Sequence, residues 1–395
     1  MFIVNPSHNA TRPLREILSN ALGADGRKEA SNLLSLCPAH LPTPLYSLPS
    51  LAAAHHVGAI HIKDEGQRLE LKSFKALGGA YAVMRLVLAE AATRLGRPIQ
   101  PDELTSEPVQ AVARTMVVTC ATDGNHGKSV AAGARIAGCK SIILVHSGVS
   151  EDRVNAISAY GAEIIRFDGN YDGSVAESTR LAAQNDWTVV SDTSWAGYED
   201  IPLLVMQGYT VMAGEVFDTL TLPPTHIFVQ AGVGGMAAAV AVHAHAVYGE
   251  AMPKIVVVEP ERAACLFASA KAGSSMPVPH SEPTIMSMLE CYEPSRIAWE
   301  ILAPLAAGFV TLGEQSAIDA MRILARPHPG DLPIVSGESG CTGLAGLLAC
   351  LSDDVARIAL DLGPHSRIVL FNSEGATDPK LYQHYVGSTP EDVLA

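Results

Sequence analysis

The sequence predicts an α/β protein built on two open, twisted, mostly parallel sheets flanked by helices. Three observations predict it. Short β-rich runs alternate with helix-length segments, several of those runs are apolar without a break, and there are too many of them for one sheet. Strand–helix alternation feeds parallel sheets. A strand that is apolar at every position suits a sheet covered on both faces.

The strand candidates are Ala59–Ile62, Thr115–Ala121, Ser141–Val145, Glu163–Phe167, Thr188–Val190, His226–Gln230, Lys254–Glu259 and Arg367–Asn372. Met116-Val117-Val118 and Ile255-Val256-Val257-Val258 are the plainest continuous runs. Helix-length segments lie between, among them Lys128–Ala137, Glu151–Tyr160, Ser174–Asn185 and Met236–Tyr248. The chain is expected to form a large domain from 1–78 and 206–395 and a small one from 79–205, with a ligand cleft between them. The break is placed after Ile201-Pro202, ahead of the helix that carries Met206. Residues 97–114 read as a polar, Pro-containing connection. Residues 273–284, rich in Pro and Ser, read as an exposed loop, either a plain connection or an active-site lid.

Composition bounds the function. The chain has 395 residues, enough for two or three domains and a sizeable core. Hydrophobic residues make up 48% and charged residues 17%, which is a globular balance. Lys and Arg total 27 against 41 Asp and Glu, a net charge of −14 with no basic block. Nucleic acid and anionic membrane surfaces are therefore poor partners. The first residues show no charged region followed by an apolar one, and no stretch reaches the roughly 18 uninterrupted apolar residues of a membrane span. A cytoplasmic protein is expected. The seven cysteines include no C-x-x-C pair, which argues against a metal knuckle or a disulfide scaffold. No metal site is expected. Cys265 and Cys291 flank the Pro/Ser-rich loop and are the one pair placed to meet across it.

Three segments carry candidate chemistry. Ile227-Phe228-Val229-Gln230 runs into Ala231-Gly232-Val233-Gly234-Gly235-Met236 and then into small helix formers. A glycine loop between a strand and a helix N-terminus lets backbone N–H groups converge on an anion. It is also a common turn, and it fits neither the Walker pattern nor G-x-G-x-x-G, since Ala237 stands at the third glycine. In Lys72-Ser73-Phe74-Lys75-Ala76-Leu77-Gly78-Gly79-Ala80, Lys75 is set among small and apolar residues. Such surroundings lower a lysine's pKa and make it a nucleophile, whereas two lysines three apart are otherwise a solvated helix face. Ala121-Thr122-Asp123-Gly124-Asn125-His126-Gly127 follows a buried strand, where open α/β sheets bind ligands. There Thr122 or Asp123 serves equally well as a helix cap.

Taken together, these segments resemble the fold-type II pyridoxal-phosphate (PLP) enzymes, the family of tryptophan synthase β chains and serine/threonine dehydratases. Within that family the chain is similar to the diaminopropionate ammonia-lyases. The likeness is carried by Ser73–Tyr81, Ala121–Gly127, Asp192-Thr193-Ser194-Trp195, Tyr198–Pro202, Met206-Gln207-Gly208-Tyr209, Gln230–Gly234, Ser336–Gly340 and Ser373–Pro379. Two departures from the dehydratases are visible. Asp123 stands where they carry a serine-type residue, and Val233 interrupts their four-glycine loop.

The resemblance implies a small-molecule amino-acid substrate, a homodimer, and PLP held in Schiff-base linkage on Lys75. It implies that Asn125 hydrogen-bonds the ring oxygen and that Gly232, Val233, Gly234, Gly235 and Met236 cradle the phosphate. It also implies that Ser373 faces the pyridine nitrogen and that Glu338 lies near the ring. Amides of Thr122, Asp123, Gly124 and Asn125 would meet the substrate carboxylate. Lys75 and Asp123 would act as bases on opposite faces, so that both D and L isomers are open to reaction. Asp192 would bind the cationic β-ammonium or help it leave, both aspartates being tuned by burial. The implied reaction is α,β-elimination of 2,3-diaminopropionate to pyruvate and two ammonia. The alternatives are a dehydratase or racemase of the same fold, a non-catalytic PLP-binding protein, and a nucleotide-binding α/β enzyme that uses the glycine loop. His126 is read as structural, and Trp195, Tyr198 and Tyr209 as packing residues.

Overall fold

Runs such as Ile255–Val258 have no polar side to show water, so they become strands buried on both faces. The computed structural model describes residues 1–122, 124–169 and 171–395. Its strands are β1 (Phe2–Val4), β2 (Leu45–Ser47), β3 (Ala59–Asp64), β4 (Val117–Ala121), β5 (Lys140–His146) and β6 (Glu163–Phe167). They continue with β7 (Thr188–Val189), β8 (His226–Gln230), β9 (Lys254–Pro260), β10 (Ala306–Leu312) and β11 (Arg367–Asn372).

Two sheets result. A seven-stranded sheet has the order β1-β10-β9-β8-β11-β3-β2, and a four-stranded one the order β6-β5-β4-β7. The inner pairs are parallel, and only the edge strands β1 and β2 run antiparallel. This is the expected α/β class. Every expected strand is present, but β1, β2 and β10 were not anticipated. β10 is buried along its whole length, yet it follows directly on the apolar helix Arg296–Leu305. The two read as one apolar stretch, and periodicity alone does not separate them.

Two expectations about connections are corrected. Pro202 marks no break: the helix Asp200–Thr219 runs straight through it. Proline is tolerated there because the N–H groups of a helix's first turn have no internal acceptor. Residues 97–114 are not plain connection, since they contain a 3₁₀ turn at Pro101–Thr105 and a helix at Glu107–Ala113 whose Val109, Val112 and Ala113 are buried. Residues 78/79 and 205/206, placed as domain boundaries, fall inside the continuous helices Lys75–Leu95 and Asp200–Thr219. The chain thus passes between the sheets along helices.

Those helices are central to the core. Lys75–Leu95 packs on Asn125–Ala137 and on Asp200–Thr219. The approach needs small residues, since a Cβ on Gly208 would lie 2.7 Å from the Leu77 carbonyl oxygen. Among the described residues, Lys75–Leu95 is the one helix long and apolar enough to cross a membrane by length and composition, but its first turns are buried in this protein core. A buried ionic cluster gathers at the end of β3. Arg68, fully buried, donates to Glu65 (2.8 Å) and Glu215 (2.6 Å), and Lys63 donates to Glu215 at 2.5 Å.

Candidate active site

Parallel strands deliver their carboxyl ends to one side of a sheet, so the residues that follow them converge. β8 ends at Gln230 and opens the glycine loop, β11 ends at Asn372 just before Ser373, and β4 ends at Ala121 before Thr122. Lys75 is the first residue of its helix, reached through a strained segment. Leu69, Glu70 and Lys72 hold φ of 50°, 60° and 62°, in the left-handed region. That segment is tied to the end of β11, because Phe74 N–H donates to Ser373 O and Gly375 N–H to Lys72 O, both at 3.0 Å.

Lys75 Nζ donates to Asp192 Oδ2 at 2.8 Å, with side-chain exposures of 20% and 17%. Burial opposes the ammonium charge, but the Asp192 carboxylate outweighs it and holds Lys75 above the usual lysine value. This reverses the sequence expectation of a lowered pKa: the apolar surroundings are real, and the partner decides the sign. Asp192 likewise departs from its expected tuning. Burial pushes its pKa up, yet the Lys75 ammonium holds it well below the usual carboxylate range. Beside the Lys75 ammonium it is an anion.

His126 Nε2 donates to Val190 O at 2.7 Å, so the ring is fixed by the backbone. Its Nδ1 is buried without a hydrogen bond, 3.9 Å from Asp192 Oδ2. Burial lowers its pKa, so the neutral ring is favoured. Tyr198 is anchored by Val189 O and Ser191 N–H, and its ring stacks on Trp195. The loop that carries Asp192 is also tied to the glycine loop. Ser194 Oγ bonds Ser295 Oγ at 2.8 Å, and Ser295 N–H donates to Val233 O at 3.0 Å.

In the glycine loop, Gly234 has φ +98°, a conformation that L side chains avoid, and it caps the helix Gly235–Tyr248. A Cβ on Gly235 would face Met206 Cγ at 3.6 Å and Asp192 O at 3.7 Å. The N–H groups of Val233, Gly234, Gly235, Met236 and Ala237 have no acceptor among the described residues. Five unclaimed donors at a helix N-terminus form an anion cradle.

Ser373 is buried, and its hydroxyl accepts a hydrogen bond from Gln230 Nε2 at 2.8 Å. Gln230 also donates to Gly340 O and Phe371 O. Asn125 Nδ2 donates to Glu374 Oε2 at 2.7 Å. Glu338 is buried close to Glu374, and burial together with that neighbouring charge pushes its pKa up to about 7. Asp123 lies outside the described residues. Thr122 Oγ1 accepts the N–H groups of Gly124 (3.0 Å) and Gly127 (3.1 Å), so this hydroxyl braces the turn into the following helix, whose N-cap is Gly124. Thr122 N–H donates to Leu144 O. Of the described amides expected near a substrate carboxylate, only that of Asn125 has no acceptor among the described residues.

Cys265 and Cys291 are not joined: both are thiols, and Cys265 Sγ donates to Gly232 O at 3.8 Å. Residues 273–284 contain no helix or strand and are mostly exposed. Sequence reasoning missed two residues of the site, Gln230 and Glu374. Gln230 is a polar residue ending an apolar strand, and Glu374 is a charged one directly after a strand, and those were the signals available.

The family model for pyridoxal-phosphate dependent enzymes matches residues 36–374. The chain is 37% identical over 353 residues to a diaminopropionate ammonia-lyase of Escherichia coli K12, covering 87% of each chain. It is also 37% identical over 361 residues to one from Salmonella typhimurium LT2, covering 88% of this chain and 89% of that one. It superposes with a TM-score of 0.87, at 33% identity and covering 98% of this chain and 96% of that one, on the Escherichia coli diaminopropionate ammonia-lyase crystallised with an aminoacrylate–PLP azomethine reaction intermediate.

Proposed function

We propose, for a chain that belongs to the pyridoxal-phosphate dependent enzyme family, a carbon–nitrogen lyase activity that converts 2,3-diaminopropionate and water to pyruvate and two ammonia. The residues present fit the cofactor. The unclaimed N–H groups of 233–237 suit its phosphate, Lys75 its aldehyde carbon, Ser373 its ring nitrogen and Asn125 its ring oxygen. Glu338, with Glu374, lines the same side. When bound, the group acidifies the substrate Cα–H by withdrawing electrons from it.

The chain's own residues do the rest. Lys75, once its amine is free, takes the Cα proton. Asp192, as the anion, holds the substrate's second ammonium in the charged form, so that neutral ammonia can leave. His126 Nδ1 keeps a neutral edge beside Asp192 and adds no competing charge. Asp123 is proposed as the second base, which would admit the other isomer. Thr122 and Gly124 shape the turn that receives the substrate carboxylate. In this reading the cofactor lies in the cleft between the units built on the seven-stranded and four-stranded sheets, in a homodimer of the cytoplasm.

One observation carries this reading above hydroxyl elimination: the partly buried carboxylate of Asp192 beside Lys75. A neutral hydroxyl substrate offers it no cation, whereas a diamino acid does. The test is kcat/KM of the holoenzyme on D- and L-2,3-diaminopropionate, L-serine and L-threonine. Preference for diaminopropionate by tenfold or more is expected, and equal or better turnover of serine would overturn it.

A further inference from the structure

Glu374 makes contacts that its neighbours in the site do not. Its backbone bridges Ser73, two residues before Lys75, and its side chain reaches Asn125, the first residue of the helix that follows β4 of the other sheet. It is 2% exposed, and its second oxygen, Oε1, is buried without a hydrogen-bond partner. A buried carboxylate left half satisfied calls for an explanation.

The geometry of an amide supplies one. A carboxamide presents a donor at one end and an acceptor at the other, and a half-turn about χ2 exchanges them. An ionised Glu374 can only accept, so it holds Asn125 Nδ2 towards itself and fixes what the rest of the amide presents. A protonated Glu374 could donate to Asn125 Oδ1, which turns the amide over. We propose that Glu374 is a positioning residue that sets which end of the Asn125 amide faces the cofactor's ring oxygen. The inference rests on the cofactor reading above.

The charged and titratable groups around the pair come from every side. Lys75, Lys128 and Arg153 favour the anion of Glu374. Glu338 is in turn faced by Arg153, Asp378, Cys341 and Tyr385. Burial raises both carboxyls, and the neighbouring Glu374 charge raises Glu338 further.

The test uses the holoenzyme and the Glu374→Gln and Glu338→Gln variants, each checked for fold by circular dichroism and for PLP content. The readout is the visible absorption band followed from pH 6 to 9. Glu374→Gln is expected to bind PLP fully, with a displaced band that no longer follows the wild-type pH change. Glu338→Gln, which removes the neighbouring charge, is expected to move the midpoint down by about one pH unit, a tenfold change in proton affinity. A Glu374→Gln holoenzyme with the wild-type band and pH response overturns the inference alone. If Glu374→Gln does not fold, an unmoved midpoint in Glu338→Gln overturns it instead. A wild-type protein that takes up no PLP overturns the cofactor reading and this inference with it.

Discussion

Replacing Asp192 with Asn removes one negative charge and keeps the side chain's shape. In the wild type its carboxylate lies 2.8 Å from Lys75 Nζ, with both side chains about four-fifths buried (17% and 20% exposed). Two effects follow. Lys75 loses the partner that holds its pKa up, so burial takes over and the value falls. That change acts on every substrate alike. The substrate's second ammonium also loses its anion, and that acts on diaminopropionate alone. A hydrogen bond to a charged group contributes about 1.5–3 kcal/mol. At about 1.4 kcal/mol per tenfold, this is a fall of roughly 10–150-fold. The assay is kcat/KM for diaminopropionate divided by kcat/KM for serine, because the ratio cancels the common effect at Lys75. A ratio that falls by that amount in Asp192→Asn is expected. An unchanged ratio would refute the recognition role, even if both rates dropped.

Other expectations concern stability and the cofactor cradle. Gly234→Ala forces an L side chain to φ +98° and brings a Cβ to 3.1 Å from Ala298 and Leu266. A cost of roughly 1–2 kcal/mol should lower the melting temperature by a few degrees and weaken PLP binding more than tenfold; unchanged PLP affinity would remove the loop from the cofactor site. Asp64, Glu338 and Glu259 have pKa values raised by burial to about 6, 7 and 8. Raised carboxyls contribute stability at pH below their unfolded values and lose it as pH rises through the folded ones. Melting temperature should therefore fall from pH 5 to pH 8, and Glu259→Gln should flatten that fall; an equally steep slope in the variant would contradict it. Arg68→Ala leaves Glu65 and Glu215 buried without their guanidinium. A loss of about 3–5 kcal/mol is expected in urea unfolding, and an unchanged midpoint would show the network to be neutral.

The sequence was most legible where one physical cause acted alone. The unbroken apolar runs of β8, β9 and β11 announced buried strands, and the glycines after β8 announced an anion cradle. It was least legible where two causes met. Lys75 sits among apolar residues, which lower a lysine's pKa, but Asp192 arrives from 117 residues away and reverses the sign. No local pattern contains that contact. Pro202 read as a break because proline usually is one, yet its place in the first turn of a helix makes it harmless. Thr122 was one of two candidate caps, and its hydroxyl takes the N–H groups of Gly124 and Gly127, while Asp123 lies outside the described residues. Glu374 could not be given a partner from sequence, since Asn125 lies 249 residues away.

The central claim is that Lys75 carries the cofactor in a site built for a diamino acid. It is tested most directly by the visible spectrum of the purified protein, recorded before and after D- and then L-2,3-diaminopropionate, with pyruvate assayed in the same cuvette. A yellow protein whose band shifts as pyruvate accumulates, and which loses both colour and activity in Lys75→Ala, is the expected result. A protein that stays colourless after PLP is added, or a Lys75→Ala variant that still makes pyruvate, would contradict it.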